Sequence, residues 1–403
     1  MTAVVEQRLD FRAASARCGA ERRDPAWLGE LRAHAAGLAS QLDWPDSRAD
    51  RPWKYYDATT IGVTPETPLA TARVDLSGGE GATVTRFEEA TGGAAQTLAR
   101  HLGTAVTPAK DRLTALHYAF LDDGVLVHLP ASVEAKSPVR IARRLSGGGL
   151  ATPHTLIVTG ANSRVTVVEE FTSDEAATVV LPAAEIIPGP GSEVRYYCVH
   201  HWGDRTRVFA NQRFLGAEPG AEFQNLHLVL GGEVVKGHLE STLEGRGTAS
   251  ELLGVTYGTG RSHADFFTLQ DHIGPDTRSD LEYKSALTDD ATAVYYGLTK
   301  VGLGAKNADA NQENRNLLLS KTARADSDPV LEILTSDIVR ASHGATAGPV
   351  DQEQLFYMQA RGIAYEEAEA MLVHAFLESV LARIPDEALR DELVSKLGEA
   401  LDR

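Results

Sequence analysis

The sequence predicts a mainly β protein whose core of short strands lies between helical regions at the two ends. After Leu116, short apolar and β-branched runs alternate with turn residues for over two hundred residues. No helical pattern of about 10–15 residues separates these runs, which argues against a parallel sheet with helices on both faces. Apolar residues repeat at the helical period only near the two ends of the chain.

Composition is that of an ordinary folded protein and excludes two classes of partner. The chain has 403 residues, 43% of them hydrophobic and 24% charged, which is enough for two or three compact units with a buried core. The formal net charge of −17 argues against nucleic acid and anionic membranes as partners, because both are polyanions.

The two cysteines, Cys18 and Cys198, are far apart and form no CxxC motif. They support neither a disulfide framework nor a cysteine zinc site, so we expect a reducing cytoplasmic setting. Residues 1–24 contain no long apolar run, and we therefore expect neither a signal peptide nor a membrane span there.

The N-terminal region, residues 1–110, is predicted to be helical and mixed in structure. An amphipathic helix is expected from Pro25 to Leu42, with apolar residues along one side. The aromatic segment from Arg51 to Thr59 follows it, and we interpret this segment as a docking element that covers the next domain.

Residues 111–345 are predicted to form the strand-rich core. From Ala249 onward, small-residue breaks recur every thirteen to seventeen residues, as expected if each strand and turn is part of one coil of a solenoid. The segment from Gly304 to Asn316 is expected to be a corner where Asn and Gln side chains stack into ladders. Periodicity alone leaves both an antiparallel sandwich and a β-helix open.

Residues 346–403 are predicted to be helical. Asp351 and Gln354 form a plausible N-cap pair, Leu355 and Met358 lie one turn apart, and Gly362 provides a positive-φ helix stop. Two apolar stripes follow, which could cover the end of a β-helix or bind a partner. The first contains Ala368, Met371, Leu372, Ala375, Phe376, Val380 and Ile384, and the second contains Leu389, Leu393, Leu397 and Leu401.

Common catalytic motifs are absent from the sequence. It has no phosphate-binding GxxxxGK[ST], no GxGxxG after a strand, no HExxH and no GxSxG, so any ATPase activity must come from another subunit. His263, Asp265, Asp271 and His272 could be mistaken for a metal site, but corner hydrogen bonding is the favoured interpretation. His200 and His201 would point to opposite faces of a strand and are interpreted as structural.

Several segments carry a resemblance to a known family. They are His263–Phe267, Asp271–His272, Asp280–Lys284, Asn314–Leu319, Leu331–Ile333, Asp337, Ser342–Thr346, Leu355–Tyr357 and Arg361–Ile363. In order and spacing they resemble the SufB/SufD family of iron–sulfur cluster assembly scaffolds. This resemblance, strong from Val208 to Leu381, implies a right-handed β-helix (solenoid) flanked by N-terminal and C-terminal α-helical regions.

His343 is the main candidate site residue. It is expected at a junction between a β-type run and the C-terminal helix. A lone histidine is more often structural, but the resemblance implies that His343 faces a SufB-like partner and that its imidazole binds iron or a nascent cluster. The family commonly has Cys two residues earlier, where this chain has Ala341. The absence of cysteine after Cys198 favours the SufD-like branch.

The resemblance implies a non-catalytic scaffold with two partners. One is a SufB-like paralogue, and the other is a SufC-like ABC-type ATPase bound through the C-terminal helices, with Leu355, Phe356, Arg361 and Gly362 at the contact. No tightly bound cofactor is expected. Iron or a cluster would be transient, and the family is linked to reduced flavin (FADH2) in the complex. A homodimer in isolation is an alternative.

A β-helical lyase or glycosidase is the alternative function from a different class. Asp265, Asp271 and Asp280 would be its candidate carboxylates. The lack of a secretion signal and the low aromatic content of 6% argue against it.

Overall fold

The structure is a computed structural model that describes residues 9–402. These residues fold into seven α-helices and twenty strands. Two parts of the chain lie outside the described residues. They are residues 1–8, which belong to the segment predicted to lack an apolar run, and residue 403, which belongs to the predicted C-terminal helical region. The helices are α1 (Arg12–Arg22), α2 (Ala26–Gln41), α3 (Gly92–His101), α4 (Arg112–Phe120), α5 (Gln352–Ala360), α6 (Tyr365–Leu381) and α7 (Glu387–Leu401).

The strands occupy most of the chain between α4 and α5, and two more precede α3. They are β1 (Thr71–Ser77), β2 (Thr83–Arg86), β3 (Asp123–Leu129), β4 (Val139–Ser146), β5 (Gly149–Ala151), β6 (Pro153–Thr159), β7 (Arg164–Ser173), β8 (Thr178–Val180), β9 (Ala183–Ile187), β10 (Glu193–His201), β11 (Thr206–Gly216), β12 (Glu222–Val229), β13 (Val234–Leu243), β14 (Ala249–Gly258), β15 (His263–His272), β16 (Arg278–Leu287), β17 (Thr292–Val301), β18 (Ala308–Leu318), β19 (Arg324–Ile333) and β20 (Ile338–Gly348).

Two facing sheets form a solenoid. Sheet A has the order β19-β17-β15-β13-β11-β9-β6-β3-β2, and sheet B has the order β1-β4-β7-β10-β12-β14-β16-β18-β20. From β10 onward the chain alternates between the two sheets, and each strand pairs in parallel with the strand two positions later. The predicted β-helix core with helical regions at both ends is confirmed, and the sandwich alternative is not what forms.

The register of the parallel strands stacks equivalent residues of successive coils. In the central coils it joins residues 29 apart, as in the pair Lys236 and Asp265. Alternate residues of each strand therefore point into the space between the sheets, where aliphatic and aromatic side chains form one apolar cluster. The residues between them point outward, toward the helical regions.

The N-terminal helical region packs on the outer face of sheet A. Helices α1, α2 and α4 share an apolar cluster with outward-facing residues of sheet A such as Leu126, Leu156 and Phe209. Trp53 of the predicted docking segment is buried and stacks on Phe209, with ring centroids 6.2 Å apart. The predicted helix from Pro25 to Leu42 corresponds to α2, so both of these predictions are confirmed.

Helix α4 corrects the expected start of the strands. The pattern after Leu116 predicted strands, but Arg112–Phe120 is helical and the first parallel strand begins at Asp123. Asp111 caps this helix through a reciprocal capping box with Thr114. All nine residues of α4 are buried, so its sequence lacks the one-sided apolar stripe that identifies a surface helix.

The C-terminal helices pack on the outer face of sheet B. Apolar residues of α6 and α7 meet outward-facing residues of sheet B such as Tyr197, Leu228 and Leu253. The predicted stripe of α6 is wrong at Met371 and Ala375, which are exposed, because the helix presents a face centred on Val373 and Leu377. The helices therefore cover the side of the solenoid and leave its end open, so the interpretation that they cover the end is wrong.

The predicted corner from Gly304 to Asn316 is mostly a strand. β18 begins at Ala308, and the amide side chains that suggested a corner lie along it. Gln312 and Asn314 point inward and find hydrogen-bond partners across the interior, so they are tolerated in a buried strand. The predicted ladder of Asn and Gln side chains is not what forms at Asn311, because its partners on the neighbouring coils are the Asp280 carboxylate and the Ser342 hydroxyl.

Asp122, between α4 and β3, provides a test of pH-dependent stability. Burial, reinforced by the neighbouring carboxylate of Asp123, raises the pKa of Asp122 to about 6. A raised folded-state pKa means that stability is fully present below the unfolded pKa of about 3.9 and falls as pH rises to about 6. We expect Asp122→Asn to stabilise the protein by about 2 kcal/mol at pH 7.5 and by at most about 1 kcal/mol at pH 4.5, measured by urea unfolding. An equal effect at both pH values would contradict this explanation.

Candidate partner interface and iron site at the open end

The last coil of the solenoid is an open end. β19 and β20 are the terminal strands of sheets A and B, so one side of each strand has no neighbour within residues 9–402. Apolar side chains are exposed nearby, among them Leu334 (56%) and Val339 (67%). At the opposite end the antiparallel strands β1 and β2 pair with the first coils. An uncovered edge with apolar residues is a ready template for pairing with another chain.

His343 lies in this open coil, in the middle of β20. The expected junction between strand and helix is wrong, because β20 pairs with β18 in register as far as Gly348. The Ala, Ser and Gly residues around His343 conceal the strand in the sequence, since none of them favours β structure. His343 is exposed, and within the described part of the chain its imidazole has no hydrogen-bond partner.

The imidazole of His343 faces the inward side of the coil. His343 is in register with Gln312, and paired residues of parallel strands point to the same face. Gln312 crosses the interior, accepting a hydrogen bond from Thr299 Oγ1 at 3.1 Å and donating to the Gly297 carbonyl at 3.2 Å. Ala341 shares this face with His343.

Polar side chains form the floor beneath the open end. Asn314 Oδ1 accepts hydrogen bonds from Ser327 Oγ at 2.5 Å and from Asn316 Nδ2 at 2.8 Å, which joins β18 to β19. Sequence reasoning did not single out Gln312 as the neighbour of His343. The available signal was the coil length, because Gln312 precedes His343 by the 31 residues that also separate Asn311 from Ser342.

Other histidines of the interior are held in structural hydrogen bonds. Trp202 Nε1 donates to His200 Nδ1 at 3.0 Å, and His200 Nε2 lies 3.0 Å from His227 Nδ1. His227 Nε2 lies 3.2 Å from Gln212 Oε1, so one direction of donation satisfies the whole chain with both rings neutral. Burial holds the pKa of His200 well below its usual range and lowers that of His227 to about 3.

The residues considered as a metal site do not converge. His263 and Asp265 share the outer face of β15 with Nε2 and Oδ2 3.8 Å apart, whereas His272 points inward and lies 2.8 Å from both Thr277 and Ser279. Among residues 9–402, no group of three or more His, Cys, Asp or Glu side chains is arranged to hold a metal ion.

The three carboxylates considered for sugar cleavage are also separated. Asp265 forms a buried ion pair with Lys236 at 2.7 Å, and Asp271 lies 3.6 Å from Lys300, both on the outer face of sheet A. Asp280 lies on the outer face of sheet B beside Arg383. A glycosidase needs two carboxyl groups on either side of one bond, no more than about 10 Å apart. Asp265 and Asp271 are six residues apart on one strand, roughly 20 Å, and Asp280 lies on the opposite sheet, so these carboxylates do not form such a pair.

The predicted partner-binding residues around α5 differ in exposure. Phe356 is 72% exposed, and Arg361 is also exposed, with its guanidinium 4.5 Å from the ring centroid of Tyr357. Leu355 is buried against the solenoid and supports α5 from inside. Asp351 caps α5, and Gly362 has a φ of 92°, which confirms the predicted helix start and stop.

Comparison with protein families identifies the core. Residues 142–376 match the family described as "SUF system FeS cluster assembly, SufBD core domain", and residues 69–141 match "SufBD protein N-terminal region". The chain belongs to the SufBD family. The matched core contains all of β20, with His343, and most of α6. The SufBD family works in iron–sulfur cluster assembly.

Curated relatives of this SufBD family member carry names from the same system. The chain is 32% identical over 290 residues to the iron–sulfur cluster assembly protein SufD of Bacillus subtilis, a match that covers 70% of this chain and 65% of that protein. It is 30% identical to a SufBD family protein of Mycobacterium tuberculosis, over 75% of this chain and 77% of the relative. Similarity to the Bacillus subtilis SufB is 27%, over 71% of this chain and 62% of that protein.

Within residues 9–402 of this SufBD family member, no helix combines the length and the apolar character that crossing a membrane requires.

Proposed function

We propose that this chain is a non-catalytic scaffold subunit of an iron–sulfur cluster assembly complex in the cytoplasm. It pairs through the open end of its solenoid with a SufB-like paralogue and binds a SufC-like ATPase through its C-terminal helices. Iron or a nascent cluster is the cargo, handled at a site that includes His343. A reductant would act in the assembled complex and not on this chain alone. The family resemblance suggests reduced flavin (FADH2) for that role.

The observation that carries the proposal is the placement of His343 in the open coil. The unpaired edges of β19 and β20 can accept strands from a partner, and the exposed apolar residues beside them favour burial. A single imidazole holds iron weakly, so further ligands have to come from the partner that covers the coil. A soft thiolate suits that role, and Ala341 supplies none from this chain.

The ATPase surface is proposed at α5 and the start of α6. Phe356, Tyr357 and Met371 are each at least half exposed, and the Arg361 guanidinium lies over the Tyr357 ring. Because α6 packs on sheet B, a protein bound here is coupled to the solenoid.

Co-expression with the host's SufB-like and SufC-like proteins tests the partners. Purification through a tag on this chain, followed by mass determination of the complex, should give all three subunits. Phe356→Ala should release only the ATPase, whereas Val339→Lys should release only the paralogue, because each change lies on one of the two surfaces. Recovery of the chain alone, or as a stable homodimer, would contradict the partner assignment.

His343→Ala tests the cargo site. In the assembled complex we expect iron and sulfide bound under anaerobic conditions to fall about tenfold, because a direct ligand is lost. His34→Ala on α2 is the matched control, since His34 is exposed and lies in the N-terminal helical region. Unchanged loading in the His343 variant, with the complex intact, would remove His343 from the site.

A further inference from the structure

A row of outward-facing side chains crosses sheet B from the C-terminal helices to the open end. Glu251, Asp280, Asn311 and Ser342 occupy the same register position on β14, β16, β18 and β20. Successive members of the row therefore lie side by side on one face of the sheet. The last member, Ser342, precedes His343 in the chain.

Hydrogen bonds join this row into a continuous ladder. Asn311 Nδ2 donates to Asp280 Oδ1 at 3.0 Å, and Ser342 Oγ donates to Asn311 Oδ1 at 2.7 Å. Asn311 donates on one side and accepts on the other, which a carboxylate or a hydrocarbon side chain would not do. The amide therefore makes β18 a link between β16 and the edge strand.

Arg383 connects the ladder to the C-terminal helices. It lies in the turn between α6 and α7, and its Nη2 donates to Asp280 Oδ2 at 2.6 Å. The same guanidinium contacts Glu251 and donates from Nη1 to Glu282 at 3.3 Å. Arg383 thereby forms ion pairs with carboxylates of both β14 and β16 at one end of the ladder.

We infer that this ladder couples the position of β20, and with it that of His343, to the position of the turn between α6 and α7. Arg383, Asp280 and Asn311 act as positioning residues, since none of them contacts the imidazole of His343. The edge strand has a neighbour on one side only, so its position depends strongly on the contacts that remain. The inference rests on the proposed function, because it gives a route by which events at an ATPase bound to α5 and α6 reach the cargo site.

Hydrogen–deuterium exchange of the peptide 338–348, measured in the isolated full-length chain, tests the ladder. We expect Asn311→Ala and Arg383→Gln each to accelerate exchange of β20 about five- to tenfold, the factor for one hydrogen bond. In the double variant the two effects should not add, because Arg383 acts through Asn311. A general loosening of the turn between α6 and α7 would instead give additive effects.

Asp309→Ala is the matched control. Asp309 accepts a hydrogen bond from Arg340 Nε at 2.9 Å, so it holds the same edge strand without contacting Arg383. Its effect on exchange should add to that of Arg383→Gln. Unchanged exchange in Arg383→Gln, or additivity with Asn311→Ala, would overturn the inference. Since no partner is present, that outcome is independent of the co-expression result that tests the proposed function.

Discussion

Arg143→Met is expected to destabilise the protein by about 3–5 kcal/mol, because it leaves buried carboxylates without a counter-charge. Arg143 is fully buried between the sheets, where its Nε donates to Asp123 Oδ2 at 2.7 Å and its Nη1 contacts Glu169. It also donates to Thr155 Oγ1 at 3.1 Å and to the His154 carbonyl at 3.0 Å. Methionine fills similar volume, so the loss is mainly electrostatic. Urea unfolding followed by far-UV circular dichroism measures the change.

Arg144→Met is the control, one residue along the same strand. The side chain of Arg144 is 58% exposed and pairs with Asp75 at 2.6 Å, so its loss should cost at most about 1 kcal/mol. Adding Glu169→Gln to Arg143→Met should restore part of the lost stability, because it removes one of the unpaired charges. Equal effects of the two arginine variants would refute the buried-charge explanation.

The strands of the solenoid are visible in the sequence, but the way they pair is not. Inward residues such as Ile141 and Leu145 produce the alternation expected of any half-buried strand, in a sandwich or in a solenoid. What distinguishes the solenoid is pairing between residues about 30 apart, which leaves no mark on an apolar pattern of period two. The family resemblance decided this point, and it did so through motifs rather than periodicity.

The candidate site was predictable where it depends on a motif and unpredictable where it depends on register. His343 stood out through its Ser-His-Gly context, although its place in mid-strand did not. The partners of Asp280 include Arg383, which is 103 residues away in the chain, and nothing in either segment points to the other. The 31-residue spacing of Asp280, Asn311 and Ser342 was the one available sign that these residues share a row.

Glu185→Ala is expected to cost about 4 kcal/mol, because one buried carboxylate satisfies a whole segment of the N-terminal region. Glu185 on β9 is fully buried and accepts hydrogen bonds from the backbone amides of Gly103, Ala105 and Val106, at 2.7, 2.6 and 3.1 Å. It also accepts from Tyr118 Oη at 3.1 Å. Alanine would leave the three backbone amides without this acceptor, whereas Tyr118 Oη keeps the Val106 carbonyl as a partner at 2.6 Å. Denaturant unfolding would measure the loss.

Tyr118→Phe separates the carboxylate from one of its donors. It removes only the hydroxyl, so we expect a loss of about 1 kcal/mol, well below that of Glu185→Ala. Limited proteolysis should cut between α3 and α4 in Glu185→Ala but not in Tyr118→Phe, because only the former frees the backbone amides. Comparable effects of the two variants would show that the carboxylate does not fix this segment. Since Glu185 acts on the outer face of sheet A, its loss should leave the exchange of β20 unchanged, whereas Arg383→Gln acts through sheet B.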